Sequence, residues 1–313
     1  MNWGKIKTII IVLMLLVNLF FIYNIYIQNR NIYYIGEKTI QTACELLAAD
    51  NIIVSPEIIP DKKLSLSIIE SVFEPGYFDF VVSKISGTES HTKRIINNGV
   101  EFNITKNNDL YEFSDTDVLY MKYISNGFGG KNLNNLNVEN DYTEINPGRL
   151  QTQLKIIKSY LMWENDSQTN KPGYDIAVQK GYYDETSGRY FIYCIQMIES
   201  QLINECEFIT VIKDGTVQYL EGKLINNEVL KSHNTALIDQ INILFMERSD
   251  IVESRNDENG AEIYDMYSIL SMTSEYYINW NQERDIMFLI PAWKIVYENG
   301  AIVTRDAVNG NIY

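Results

Sequence analysis

The feature that most constrains this chain is the apolar run Ile9–Ile27, broken only by Asn18, Asn24 and two tyrosines. A helix of that length rises about 28 Å, close to the roughly 30 Å of a bilayer's hydrocarbon core. The leader Met1–Thr8 carries Lys5 and Lys7 and no acid. Positive charge before the run keeps the N-terminus in the cytoplasm. Tyr23, Tyr26, Tyr33 and Tyr34 gather at the far end, where aromatic rings favour a membrane interface. A cleavable signal peptide needs a small-residue site just past the apolar run, and Tyr23–Lys38 has none. The reading is therefore an uncleaved anchor over 1–29, with the chain from about Arg30 outside the cell.

Charge then narrows the partners. The 313 residues hold 41 acids and 26 bases, a net charge of −15. Lys5 and Lys7 precede the membrane, so the exterior part is more acidic still. A chain of this sign lacks the basic face that displaces counterions from nucleic acid, and no nucleic-acid partner is expected. No tight cluster of acids marks a cation site, so the charge reads as solubility beside an anionic surface. Two histidines, His91 and His233, and three cysteines, Cys44, Cys194 and Cys206, are thin material for a zinc enzyme or a disulfide scaffold. Cys44 reads as a small buried apolar residue. Cys194 and Cys206 sit in successive strand-like runs. Their pairing needs a turn centred near Ser200, whereas the polar break lies nearer Leu202–Asn204.

Periodicity predicts sheets with helices laid across them, an α+β architecture. Glu37–Ala49 has helical spacing, with Ile40, Cys44, Leu47 and Ala48 on one face, and is placed to extend the anchor as a stalk. Tyr77–Lys84 reads as a strand. Val100–Thr105 and Leu110–Phe113 flank a four-residue turn, hence a hairpin. Asn126–Asn146 is an Asn- and Gly-rich loop. Asn146-Pro147 opens a helix carrying Leu150, Leu154, Ile157 and Leu161. The polar stretch Glu164–Gly173 divides the exterior into two antiparallel modules, 30–165 and 166–313. In the second, Asp214-Gly215 is a two-residue hairpin turn, and Ser232 or Asn234 caps a helix through Leu237, Ile241, Leu244 and Phe245. Ile263–Trp280 fits either state. Ala292–Tyr297, Glu298-Asn299-Gly300 and Ala301–Arg305 form a closing hairpin.

No motif carries recognisable catalysis. His91 and His233 each adjoin a serine, which is not triad geometry. Asn256–Gly260 fails the ligand alternation of a calcium loop. Gly127, Gly129 and Gly130 lack the Lys-Ser/Thr pair of a phosphate loop. No catalytic, cofactor-binding or metal-binding residue is expected. Asn18 is the informative residue. A buried amide in lipid is costly unless it meets a polar group, and an interhelical amide bond contributes roughly 0.5–2 kcal/mol. Met14 and Ile22 lie one turn to either side of it, while Trp3, Lys5 and Lys7 mark the cytoplasmic interface. These six are the membrane-interface and partner-helix candidates.

Two stretches carry a family resemblance. Met1-Asn2-Trp3-Gly4-Lys5-Ile6-Lys7-Thr8, running into the apolar segment with Asn18, resembles the start of YycI-type proteins. These are membrane-anchored accessory regulators of the essential cell-wall sensor kinase YycG, or WalK, in low-GC Gram-positive bacteria. Pro291–Val296 with Asp306–Tyr313 is similar to the closing hairpin of YycI and YycH proteins. The resemblance covers both ends and the overall plan; about Tyr77 to Asn281 does not align. It implies a non-enzymatic protein of the cell membrane that binds a YycG-type sensor histidine kinase and a YycH-type sister. Contact would run through membrane helices and extracytoplasmic domains, without cofactor. The alternative is an anchored extracytoplasmic enzyme or inhibitor acting on wall polymers or peptidases. That class would lose activity on changing one or two acids and keep it without the anchor.

Overall fold

The computed structural model describes residues 3–73, 77–86, 92–96, 99–104, 109–114, 120–125, 128, 142–162, 174–225, 227–257, 266–281 and 286–313. The chain is mixed α+β and forms two compact units. Unit 1 gathers three separate stretches, 1–65, 236–274 and 292–313; unit 2 comprises 66–235 and 275–291.

Unit 1 starts with helix α1 (Trp3–Tyr33) and helix α2 (Glu37–Ala48). Tyr34–Gly36 separate them, so α2 is not a stalk continuing α1. Instead α2 buries Ile40, Ala43 and Leu47, a helical stripe, in the core of its unit. Ala48, expected on that stripe, is exposed, and Ala43 takes the buried place. Strand β1 (Ile52–Val54) runs parallel to β13 (Tyr267–Asn281), pairing Ile52 with Tyr267 and Val54 with Ile269. Next to β13 lies β14 (Ile286–Tyr297), whose last residues pair antiparallel with β15 (Ile302–Asp306). The expected closing hairpin is therefore present, and Gly300 at φ 84 supplies the left-handed turn residue. Helix α5 (Gln240–Asp257) packs on this core through Ile241, Ile243, Leu244 and Ile251. Its cap is Asp239, whose side chain accepts from the Asn242 amide at 2.9 Å. Ser232 and Asn234, expected as caps, lie on strand β12 (Asn227–Asn234), because the extended run continues past them.

Unit 2 is built on an antiparallel-rich sheet. It holds β2 (Ser67–Phe73), β3 (Thr92–Ile96), β4 (Gly99–Ile104), β5 (Asp109–Ser114), β6 (Tyr120–Ile124) and β7 (Thr143–Glu144). It continues with β8 (Tyr174–Asp184), β9 (Arg189–Ile198), β10 (Gln201–Lys213), β11 (Thr216–Lys223), β12 and the remaining parts of β13 and β14. Strands β3 to β6 form an antiparallel meander, joined through β11 to the antiparallel run β11-β10-β9-β8. Within this unit β10 also pairs parallel with β13 at Leu202–Glu275 and Ile203–Tyr276. The β10–β11 turn has Asp214 at φ 51 and Gly215 at φ 75, the two left-handed residues of a type I′ hairpin. The expected β4–β5 hairpin is present, although Asp109, read as the last turn residue, pairs with Ile104 and opens β5.

Helix α4 (Pro147–Leu161) begins as expected: the Asn146 side chain accepts from the Arg149 amide at 3.0 Å, with Pro147 in the first turn. Its Leu154, Ile157 and Leu161 enter a core with Ile176, Ile192 and Cys194 from β8 and β9. That core joins residues on both sides of Glu164–Gly173, so the compact units do not divide there as anticipated. Tyr77–Lys84, read as a strand, lies in helix α3 (Tyr77–Ser86). Val81 and Ile85 recur at a spacing of four and pack with Phe80 against the same core, so period 3.6 prevails over β propensity.

The cysteine geometry turns on a bulge. The β9–β10 turn does centre on Glu199 and Ser200, both at positive φ. A register shift between Leu202 and Glu207, with Glu205 at φ 64, then slides Phe208 opposite Cys194. All three cysteines are free, and Cys194 and Cys206 lie in different core clusters.

Gly222 tests this packing. It sits at φ 150 opposite Phe208, and a Cβ there would lie 2.3 Å from the Glu207 carbonyl oxygen and 2.4 Å from the Phe208 Cα. Backbone on both counts cannot rotate away. Gly222→Ala is expected to cost about 2–4 kcal/mol. Gly188→Ala, at φ 69 with open space around the Cβ, should cost about 1 kcal/mol. Urea midpoints of the two variants should separate in that order.

Candidate functional site

Helix α1 holds 31 residues with no acid in its first turn. Every large apolar side chain described between Ile11 and Ile25 is exposed, from Val17 at 45% to Met14 at 65%. Among the described side chains from Ile11 to Ile25, no face of the helix is therefore packed on its own chain. A helix apolar all round is normally buried or membrane-embedded. Among the described residues no helix is long and apolar enough to cross a membrane. On α1 the contiguous described side chains run from Ile11 to Ile25 and rise about 21 Å. Met14, Asn18 and Ile22 share one exposed stripe, as their spacing predicts, and Lys7 is exposed. The side chains of Trp3 and Lys5 lie outside the described residues.

The exit from α1 is held by backbone bonds rather than a loose linker. The Lys63 amide donates to the Tyr33 carbonyl at 2.8 Å, and the Ile35 amide donates to the Asp61 carbonyl at 2.7 Å. Tyr34 and Lys62 form an antiparallel bridge between these bonds. Fully buried Gln240, the first residue of α5, donates through Nε2 to the Pro60 carbonyl and, at 3.2 Å, to the Lys62 carbonyl. Sequence reasoning missed this joint.

Two polar clusters were also illegible in sequence. In unit 1, Arg305 is 4% exposed in its side chain. Its Nε donates to Glu247 at 2.6 Å, one terminal nitrogen donates to Asp250, and the other donates to the Gly310 carbonyl at 3.1 Å. The Tyr297 hydroxyl donates to the other Glu247 oxygen at 2.6 Å. Burial alone would make the guanidinium easier to deprotonate, but the bonds to Asp250 and the charge of Glu247 outweigh it and hold the cation. Burial and then the bond to Glu247 raise the Tyr297 phenol, keeping it protonated. In unit 2, Glu221 accepts from the Tyr120 and Tyr219 hydroxyls and lies 3.3 Å from Lys122. Burial pushes its carboxyl up, yet these donors outweigh burial and hold it below the ordinary carboxylate range. A general acid requires the reverse shift.

The remaining candidates resolve briefly. Burial raises the Cys194 and Cys206 thiols, which makes them poor nucleophiles. His233 on β12 lies 3.2 Å from Glu70 on β2, an exposed cross-strand pair. His91, Gly127, Gly129, Gly130 and 258–260 lie outside the described residues, whereas Asn256 and Asp257 end α5. Among the described residues no group of three His, Cys, Asp or Glu side chains is arranged to hold a metal. A pocket of about 390 Å³ in unit 1 is lined by Met266, Tyr267, Ser268, Tyr297, Glu298 and Asn299. Among the described residues of that lining Glu298 is the single carboxylate.

No protein-family model matches this chain, and no curated protein matches it. Among solved structures, the chain is similar to an uncharacterized protein from Eubacterium rectale ATCC 33656, with 10% identity and a TM-score of 0.47. The match covers 80% of this chain and 86% of that one.

The Arg305 cluster makes a stability prediction. Arg305→Met leaves Glu247, 5% exposed, as a stranded buried charge, and should cost about 3–5 kcal/mol. Adding Glu247→Leu should recover most of that loss. A double-mutant cycle by denaturant unfolding reads both numbers; an additive cycle would mean that the two groups do not depend on each other.

Proposed function

We propose that the chain is a membrane-anchored regulatory protein without an active site. In this reading α1 crosses the membrane once with Met1 in the cytoplasm, and both units lie outside. The protein binds a sensor histidine kinase of the YycG type, together with a YycH-type sister, and adjusts the kinase through helix and exterior contacts. The observation that supports it is the run of exposed apolar side chains along α1, joined to unit 1 by the bonds at Tyr33 and Ile35. Water alone would not tolerate so large an apolar surface on a folded chain. Lipid would, and the apolar run Ile9–Ile27 is long enough to fill it. The opening and closing segments that resemble YycI proteins point to the same partner.

The test uses the full chain in membranes. It should resist alkaline extraction from them, and protease added to wall-stripped cells should digest its bulk. Photo-crosslinking should capture a sensor kinase. Exchanging Ile9–Ile27 for an unrelated span of equal length should keep the chain in the membrane and lower kinase recovery by several-fold. A mature protein beginning near residue 30 would overturn the anchor. Undiminished recovery with the exchanged span would move recognition to the exterior units.

A further inference from the structure

We infer that α1 pairs with α1 of a second copy along the seam Ile11, Met14, Asn18, Phe21 and Ile25, with Asn18 facing its own counterpart. The inference rests on the membrane reading above and names the partner that its polar residue meets. Ile11, Asn18 and Ile25 are spaced by seven, and Met14 and Phe21 each stand three residues after one of them. This is the a and d pattern of a left-handed two-helix seam. The four apolar members are exposed at 56–65%, and Asn18 is exposed too, so among the described residues nothing covers this stripe. The opposite face, Leu13, Leu16 and Phe20, is equally exposed, and its polar groups, Tyr23 and the neighbouring Asn24, lie toward the end of the run rather than at its middle.

Depth chooses the occupant. Copies of a single-pass chain share one topology, so their anchors are parallel and every residue meets its equal at the same level. Asn18 sits near mid-run, where lipid offers no hydrogen bond. An amide carries both donor and acceptor, and is therefore satisfied by an identical amide across a two-fold axis. A lone Asn at a fixes register and pair number.

The experiment uses the full chain in native membranes with Cys44 replaced by Ala, since Cys194 and Cys206 are buried. Single cysteines are placed at each position from 11 to 25 and oxidised with a lipid-permeable reagent. Self-adducts should peak at Ile11→Cys, Met14→Cys, Phe21→Cys and Ile25→Cys, and be about fivefold weaker at Leu13→Cys, Leu16→Cys and Phe20→Cys. Adding Asn18→Leu to Phe21→Cys should weaken the pair at least about threefold, the equivalent of one interhelical amide bond of about 0.6 kcal/mol. Adding Asn18→Gln should retain it. A flat profile, or a seam whose adducts join a different protein, overturns the pairing while leaving the anchor intact. A chain recovered outside the membrane fraction overturns both.

Discussion

In unit 1 directional bonds fix the arrangement of three stretches of chain that lie far apart in sequence and that share one apolar core. Arg305 in the last stretch reaches Glu247 and Asp250 in the second, and Tyr297 shares Glu247 from the same side. The Ile238 amide donates to the Ala307 carbonyl at 2.6 Å, and the Trp293 ring donates to the Ile238 carbonyl at 3.2 Å. Gln240, with Arg248 and Arg255 on Asp50, ties the second stretch to the first. Closing the long excursion through residues 66–235 costs about 4–5 kcal/mol by loop-closure scaling. The apolar core around Leu47, Ile243 and Trp293 offsets that cost but is indifferent to register. The buried ion and amide bonds are what make one arrangement better than its neighbours, since any slip leaves a charge unpaired.

The same ties decide how α1 meets the rest of its unit. Tyr33 and Ile35 are bonded on either side of the Tyr34 bridge, so the chain turns out of the helix under restraint. The segment that holds it, 60–63, is held in turn by Gln240 at the start of α5. Two hydrogen bonds and a bridge at a helix end transmit rotation and tilt, whereas a Gly- or Ser-rich linker would absorb them. A turn of α1 would therefore be felt at α5 and at the closing hairpin that Arg305 fastens to it.

The sequence was legible where short-range chemistry decides. Asn146-Pro147, Asp214-Gly215 and the hairpin ending at Arg305 each carry their instructions within a few residues, and each formed as read. It was illegible where a distant partner decides. Ser232 and Asn234 are good caps, but β2 recruits them into a strand, and the helix waits for Asp239. Tyr77–Lys84 has strand-like residues, yet its apolar period fits a helix on the core of unit 2. The division at Glu164–Gly173 followed a polar stretch, while the real partition threads three stretches that lie far apart in sequence. Gln240 and Arg305 gave no signal, because a buried polar residue is defined by partners that sequence spacing does not name.

Electrostatic tuning bears on what kind of work such a protein does. An active site drives groups toward reactivity: carboxyls up toward neutral pH, thiols and phenols down. Among the described residues the resolved shifts run the other way. Glu221 and Asp184 are held ionised because their hydrogen-bond donors outweigh burial. Cys194, Cys206, Tyr174 and Tyr276 are held protonated, chiefly by burial. Each group is fixed in the state that resists chemistry, and each sits in the sheet or core it stabilises. The unspent surface is instead the apolar length of α1, with one amide at its centre. Tuned interior and exposed helix together support the reading proposed above, in which the contact to be understood lies at Asn18 rather than at a carboxylate.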